Sequence, residues 1–435
     1  MATYTPRGPF ADNSITPPIN AAFLNGIETF LASFTDPTSG ITNAASPITG
    51  WYSINAYGAV GDGVTDDRAA IQAAINAANA AYVSTSARQV VYVPPRVYTM
   101  GSVNYLRDDS SVNGAVSLML LDGVDLMGPG TLKVKNGAYG SGALYAAIRS
   151  HSTGVSHSSI KGITIDGNIA GVTASTQCSN IVLDALTDVE VSDTYHPSAN
   201  GNAIMVRGST TVYATGIRIL RNRISSANAI GIQCSQFNGL QIIGNIVANT
   251  NDNCIDVYGD DGSTTTAHAQ NFVINDNRVD GGNVGIFLET VMSGTVVGNH
   301  ITSCDESGIH INRIHGQPRN IIMSGNNILG CPIGANFTGD MGGNTFRSNF
   351  ITNASVAGVS LGGGGGNVSY VWILDNQIDT STANSTPLVL VASGTNQVTQ
   401  IRHRGTTTQN TNRSYDFVNN AATTVTMYIS PANAA

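Results

Sequence analysis

Asp256, Tyr258, Phe287, Glu289, His310 and Asn312 are the residues of this chain whose types and spacing best suit chemistry. They recur at matching places in three successive segments, "CIDVYGDD", "GIFLET" and "GIHINR". Carboxyl groups, aromatic rings and an imidazole on one face suit a sugar: rings stack on it and carboxyl groups move protons at its linkages. Paired carboxyl groups hydrolyse glycosides with inversion when roughly 6.5–9.5 Å apart and with retention at roughly 5–5.5 Å. If the segments stack as coils, Asp256 and Glu289 are offset by one coil (~4.8 Å) and two residues (~6.6 Å), so ~8 Å separates their backbones. That spacing fits inversion. A carboxyl group beside Phe287 and Tyr258 would be pushed toward its neutral form and serve as acid while the other activates water. The sequence leaves open which is which.

Neighbouring loops add to the set. "YGDDGSTTTAHAQ" contributes Asp260, Asp261 and His268, and "NRIHGQPR" contributes Arg313, His315 and Arg319. The catalytic candidates are Asp256, Glu289, Asp261 and His310. The expected sugar-binding residues are Tyr258, Phe287, Arg313, His315, Asn312, Arg207, Gln233 and Asp260. A plainer reading stands beside each: an outward carboxylate is commonly only a solvated charge, Asp260 and Asp261 beside Gly262 suit a turn, and His310 can bond a neighbouring rung. "DTYHPSANGN" (Asp193, Tyr195, His196) holds a Tyr/His/Asp group that could abstract protons, though chance placement explains it better. "GGGGG" at 362–366 lacks the strand-to-helix context of a phosphate loop and reads as a turn.

A repeat positions these residues. Asn-x-apolar recurs at Asn222, Asn245, Asn277, Asn299, Asn326, Asn349 and Asn376, at intervals of 22 to 32 residues. Midway lie "AIMV", "GIQC", "CIDV", "GIFL", "GIHI", "GANF" and "GVSL". Short strands joined by Gly/Asn/Ser turns, with no crossover helix between them, describe the coils of a parallel β-helix. Two columns then point inward, Ile204/Ile232/Ile255/Ile286/Ile309/Ala335/Val359 and Val206/Cys234/Val257/Leu288/Ile311/Phe337/Leu361. The residues between them point outward.

Composition agrees. Charged residues are only 11% and apolar residues 41%, with 48 glycines, as expected of strands and turns rather than solvated helices. Net charge is −8 and the only lysines are Lys133, Lys135 and Lys161. With no basic patch, nucleic acid and anionic membranes are not expected partners. The 5 cysteines show no metal-ligand spacing, so neither metal nor other cofactor is expected, and free buried thiols suggest folding in a reducing compartment. No signal peptide and no apolar run of membrane-spanning length is visible.

Ahead of the coils, "INAYGAVGDGVTDDRAAIQAAINAA" reads as an acidic turn followed by a helix near 65–83, with Thr65 as N-cap and Asp66 and Asp67 in the first turn. Its Ile71 and Ile75 would cover the open first rung, and "QVVYVPPRVYTM" would be the first coil. This stretch resembles the N-terminal signature of the pectate-lyase-like superfamily of right-handed parallel β-helices. Phage tailspikes and depolymerases, polygalacturonase-like hydrolases and alginate epimerases are members. With the repeats, the resemblance covers roughly 51–380.

The resulting expectation is an all-β, right-handed, single-stranded parallel β-helix over 51–380. Residues 1–50 form a leader whose Phe23, Leu24, Ile27, Phe30 and Leu31 share a helical face, and 381–435 form a small β-module capping the last rung. The resemblance implies a tailspike-like depolymerase: a homotrimer, attached to a phage tail or baseplate through 1–50, that folds in the host cytoplasm and hydrolyses a bacterial surface polysaccharide outside it. The alternatives are a lyase or epimerase on a uronate polymer, which scarce lysine disfavours although Arg207 and Arg313 remain, and a receptor-binding tail protein without catalysis.

Overall fold

The computed structural model describes residues 50–429, apart from 107–112, 139–144, 152, 173–177, 209–212, 260–268, 314–316, 340, 363–367, 370, 381–385, 394–397, 405–406, 410–415 and 421–425. It describes only the backbone of the strands beyond 380. The leader's expected helix, Asp260, Asp261, His268, His315 and most of the glycine run therefore lie outside the described residues.

The chain is a right-handed parallel β-helix with three strands per coil. One coil runs through Ile232–Ser235 (sheet I), Phe237–Ile243 (sheet II) and Ile246–Ala248 (sheet III), then re-enters sheet I at Ile255–Tyr258. Stacking is in strict register: Ile204, Ile232, Ile255, Ile286 and Ile309 are successive partners in sheet I. Every residue of the two expected inward columns is fully buried. The 15-residue strand Cys178–Ser192 spans a corner, pairing in sheet I at its start and sheet II at its end.

The recurrent Asn lies at the corner between sheets II and III, as Asn222 does between the strands Ala214–Leu220 and Arg223–Ile224. The residue before it takes a left-handed conformation: Arg221, Gly244, Asp276, Gly298, Gly325, Ser348 and Asp375 all have φ between 52° and 68°. Gly, Asp and Ser dominate there because few side chains tolerate that geometry. The turn aims the Asn amide inward, where the amides form a buried ladder. Asn277 donates both its backbone N–H and Nδ2 to Asn299 Oδ1 at 2.9 Å, and Asn299 does the same to Asn326 at 3.0 and 2.9 Å. Thr194 starts the ladder on Asn222, and it runs on to Asn376.

Helix α1 spans Arg68–Thr85 and buries Ile71, Ala74, Ile75 and Ala78 against the first coils. It begins later than the sequence suggests. Residues Asp62–Asp66 are a strand, and Asp67, not Thr65, occupies the cap position. The acidic run has another use: Asp67 accepts the N–H groups of Val60 (2.6 Å) and Gly61 (3.1 Å), Asp66 accepts Gly101 N–H, and Asp62 accepts Val64 and Thr65. Gly61 is required here, because at φ 67° any Cβ would meet the Tyr98 ring at 2.7 Å. Val103–Leu106 pairs antiparallel with Asn113–Leu120 and covers the first edge of sheet I.

The segments expected to form a terminal module extend the coil. Thr386–Ser393 and Asp416–Asn420 pair in parallel in sheet I, Val398–Arg404 and Thr426–Ile429 in sheet II, and Thr407–Gln409 in sheet III.

Candidate active site on sheet I

The outer face of sheet I carries two columns. Gln233, Asp256, Phe287, His310 and Asn336 are successive partners, as are Asp184, Arg207, Ser235, Tyr258, Glu289, Asn312 and Thr338. Asp256 and Glu289 are thus one coil and two residues apart, as the repeat spacing requires.

Outward does not mean solvated here. Asp256 is only 7% exposed. Its Oδ2 accepts long hydrogen bonds from Asn253 Nδ2 (3.4 Å) and Gln233 Nε2 (3.5 Å), while the buried Oδ1 has no partner among the described residues. Burial pushes its pKa up to about 7; the two amides oppose the rise and Asp252 adds to it. At neutral pH, Asp256 is a carboxylic acid as much as a carboxylate. Glu289 is half-buried one coil on, beside Tyr258.

His310 is pinned. Its ring meets Phe287 edge-on with centroids 5.1 Å apart, and Nε2 lies 2.8 Å from Thr338 Oγ1. Thr338 places its single proton on Asn312 Oδ1 at 2.9 Å, so His310 Nε2 is the donor. Glu306 Oε1 sits 3.4 Å from Nδ1 outside hydrogen-bonding geometry. Burial holds the imidazole down to about 4, neutral at physiological pH. The plainer expectation, a bond to a neighbouring rung, describes His310 well.

Arg207 does not turn toward Asp256. Its Nε donates to Asp184 Oδ1 at 2.5 Å, and Arg149 lies 3.6 Å from the other oxygen of the same carboxylate. Arg313 follows Asn312, its backbone N–H donating to Thr338 O at 3.2 Å. Asp184 was missed from the sequence, although extending Arg207's column back one coil finds it. Asn253 had no such signal, because it lies on the turn ahead of the strand.

The group in "DTYHPSANGN" does not converge. Asp193 pairs with Arg221 at the surface, and Tyr195 stacks under Arg223. His196 is fully buried, bonded to Thr194 Oγ1 and Asn180 Nδ2, and burial lowers its pKa to about 3. A depressed folded pKa contributes stability that is present above pH 6.5 and lost as pH falls toward about 3. His196→Gln should therefore lose less of its denaturant midpoint than the parent between pH 6.5 and 4, measured by fluorescence-monitored unfolding. An equal loss in both would show that this imidazole does not set the acid limit.

All five cysteines are free and buried. Among the described residues no three His, Cys, Asp or Glu side chains group as metal ligands, and no helix is long and apolar enough to cross a membrane.

The chain is similar to known proteins in sequence and in fold. The sequence profile of the family described as rhamnogalacturonase A/epimerase, pectate lyase-like, matches residues 51–310, and that of NosD, a periplasmic copper-binding protein, matches 252–370. Mannuronan C5-epimerase AlgE4 of Azotobacter vinelandii is 36% identical over 122 residues, which are 27% of this chain and 20% of that protein. AlgE6 of the same organism is 36% identical over 124 residues, 27% of this chain and 13% of that protein. The matches span a fifth or less of these relatives.

In three dimensions the chain is similar to the Agl-KA catalytic domain (TM-score 0.66, 16% identity, 89% of this chain and 70% of that one). It is also similar to the AlgE6 A-module (0.56, 19%, 82% and 99%) and to the N-terminal fragment of bacteriophage phi29 gene product 12 (0.54, 17%, 86% and 71%). Those likenesses carry the fold. The profile match covers more than half of the 435 residues, and on that ground the chain belongs to the pectate-lyase-like rhamnogalacturonase A/epimerase family.

Proposed function

We propose that the protein binds a polysaccharide along the outer face of sheet I and hydrolyses it, with Asp256 as general acid and Glu289 as the carboxylate that activates water. The observation that carries this reading is Asp256 itself: a nearly buried carboxyl group, half-protonated near neutral pH, one coil from a second carboxyl group. A proton donor must keep its proton at working pH and a base must have lost its own; burial makes Asp256 the donor. Phe287 and Tyr258 supply faces for a pyranose ring, and His310 and Asn312 hold that surface in place rather than transfer protons.

Action on uronate units by epimerisation or β-elimination is the second reading, supported by the 36% identity to the two mannuronan C5-epimerases. Products separate the readings when the protein is incubated with neutral and uronate-containing bacterial surface polysaccharides. New reducing ends without unsaturated-uronate absorbance mark hydrolysis, that absorbance marks a lyase, and solvent deuterium at C5 without chain shortening marks an epimerase. Glu289→Gln is expected to retain binding and lose cleavage by about 10²-fold or more; full activity would remove Glu289 from the mechanism.

In this reading the protein is the depolymerase of a phage tail, a homotrimer attached through residues 1–50. The signature at 54–78 and the apolar face of 23–31 support it. Light scattering should return three times the 45.1 kDa chain mass, and a monomeric mass would overturn the trimer.

A further inference from the structure

Resting on the assignment of Asp256 as proton donor, we propose that Asn202 and Gln233 are positioning residues: a one-way chain of amides delivers an N–H to Asp256 Oδ2 and so confines the proton of the neutral acid to the buried Oδ1. The direction starts at the backbone. Ile230 N–H donates to Asn202 Oδ1 at 3.2 Å. A backbone N–H can only donate, so Asn202 must show it oxygen and turn its NH₂ to Gln233 Oε1, 2.7 Å away. Gln233 must then point its own NH₂ at Asp256 Oδ2, at 3.5 Å. Reversing either amide sets oxygen against oxygen or N–H against N–H.

The start of the chain is itself held. Asn202 N–H donates to Ser179 Oγ at 3.2 Å, and its carbonyl accepts Asn180 N–H at 3.0 Å. Asn202 is 6% exposed, so water does not compete freely for its amide. Asn253, 8% exposed, adds a second donor to the same Oδ2 at 3.4 Å. A proton on Oδ2 would face two N–H groups; on Oδ1 it faces none among the described residues. The neutral acid therefore carries its proton on Oδ1, which is enclosed in the free protein.

Other titratable groups face Asp256, but none supplies this direction. Asp252 on the preceding turn acts through charge alone, and the Cys234 thiol one coil back points inward and is kept neutral by burial. Tyr258 shares the strand, and Glu289 and His310 come from the next two coils. Among the described residues, the hydrogen bonds that Oδ2 accepts come from the amides of Gln233 and Asn253.

The test is Gln233→Met in the full-length chain, a near-isostere without a donor. Losing a hydrogen bond that favours the ionised form should raise the Asp256 midpoint, read by carboxyl ¹³C NMR, by about half to one pH unit. The alkaline limb of kcat should move with it, and kcat should fall about tenfold with KM within about twofold. Asn202→Leu, uncharged and of similar size, removes the donor to Gln233 Oε1 together with the acceptor for Ile230 N–H, and should raise the midpoint from a position that does not touch Asp256. An unchanged midpoint in both variants overturns the chain. A rise in KM alone also overturns it, assigning Gln233 to sugar contact instead. The NMR midpoint needs no substrate, so it stands even if an active Asp256→Asn variant removes Asp256 from catalysis.

Discussion

Asp256→Asn is expected to lose about 10²–10⁴-fold in turnover, the usual worth of a positioned proton donor, and to be more stable than the parent above pH 7. The two effects share one cause. Burial without a charge partner raises the carboxyl group from 3.8 to about 7. A raised folded pKa means the native state holds its proton where the unfolded chain has released it. Stability is then fully present below pH 3.8 and is lost as pH rises through about 7. Three pH units at about 1.4 kcal/mol each set the ionised group's cost at about 4 kcal/mol, as an upper estimate.

A neutral amide of the same shape avoids that cost. The stability difference between Asp256→Asn and parent should therefore grow from pH 4 to pH 7 and level off above it. Reducing-end assays and denaturant midpoints at pH 4, 6 and 8 test both halves. Retained activity removes Asp256 from the mechanism, and a pH-independent stability difference removes its protonation at neutral pH. Proteins commonly give up stability at working sites, and this exchange would be direct evidence of one.

Asn299→Ala carries the largest expected stability loss. Asn299 is 1% exposed and sits mid-ladder. Its removal strips the acceptor from Asn277 N–H and Nδ2, and strips donors from Asn326 Oδ1 and from the Ile274 carbonyl, which Nδ2 reaches at 2.8 Å. A buried donor left unpaired costs about 1–3 kcal/mol. Two such donors and a small cavity suggest a loss of about 3–5 kcal/mol, in the range kept for broken buried networks.

The loss should appear as a lower denaturant midpoint at unchanged slope. Because stacked coils depend on their neighbours, it should spread along the solenoid rather than stay in one coil. Asn327→Ala is the control: it is exposed on the strand Asn327–Leu329, and its side chain lies outside the ladder. If Asn299→Ala costs no more than about 1 kcal/mol, water has replaced the amide and the ladder is not a principal source of stability.

Much of the architecture was legible in the residues. Ile204, Ile232, Ile255, Ile286 and Ile309 mark an interior column although their spacing varies, because insertions fall in turns while the buried face must remain apolar. The same register brought Asp256, Phe287 and His310 into one column and Glu289 and Asn312 into the next. The Asn repeat was visible as well, but only as a pattern. Its role needed the corner geometry, in which a left-handed residue swings each amide into a dry interior.

Other features depended on neighbours far along the chain. Alternation assigns Asp256 to the outer face, but Asn253, Gln233 and Phe287 decide how much water reaches it. They come from a turn and from the coils on either side. Arg207, a sugar-binding candidate by type, is held by Asp184 from the coil before; His310, a catalytic candidate by type, is tied to Thr338 from the coil after. Thr65 suits a helix cap, yet Asp67 is more useful where Val60 and Gly61 need acceptors. Periodicity along one strand determines direction. Protonation and charge pairing depend on what stacks above and below, and only the folded coil brings those residues together.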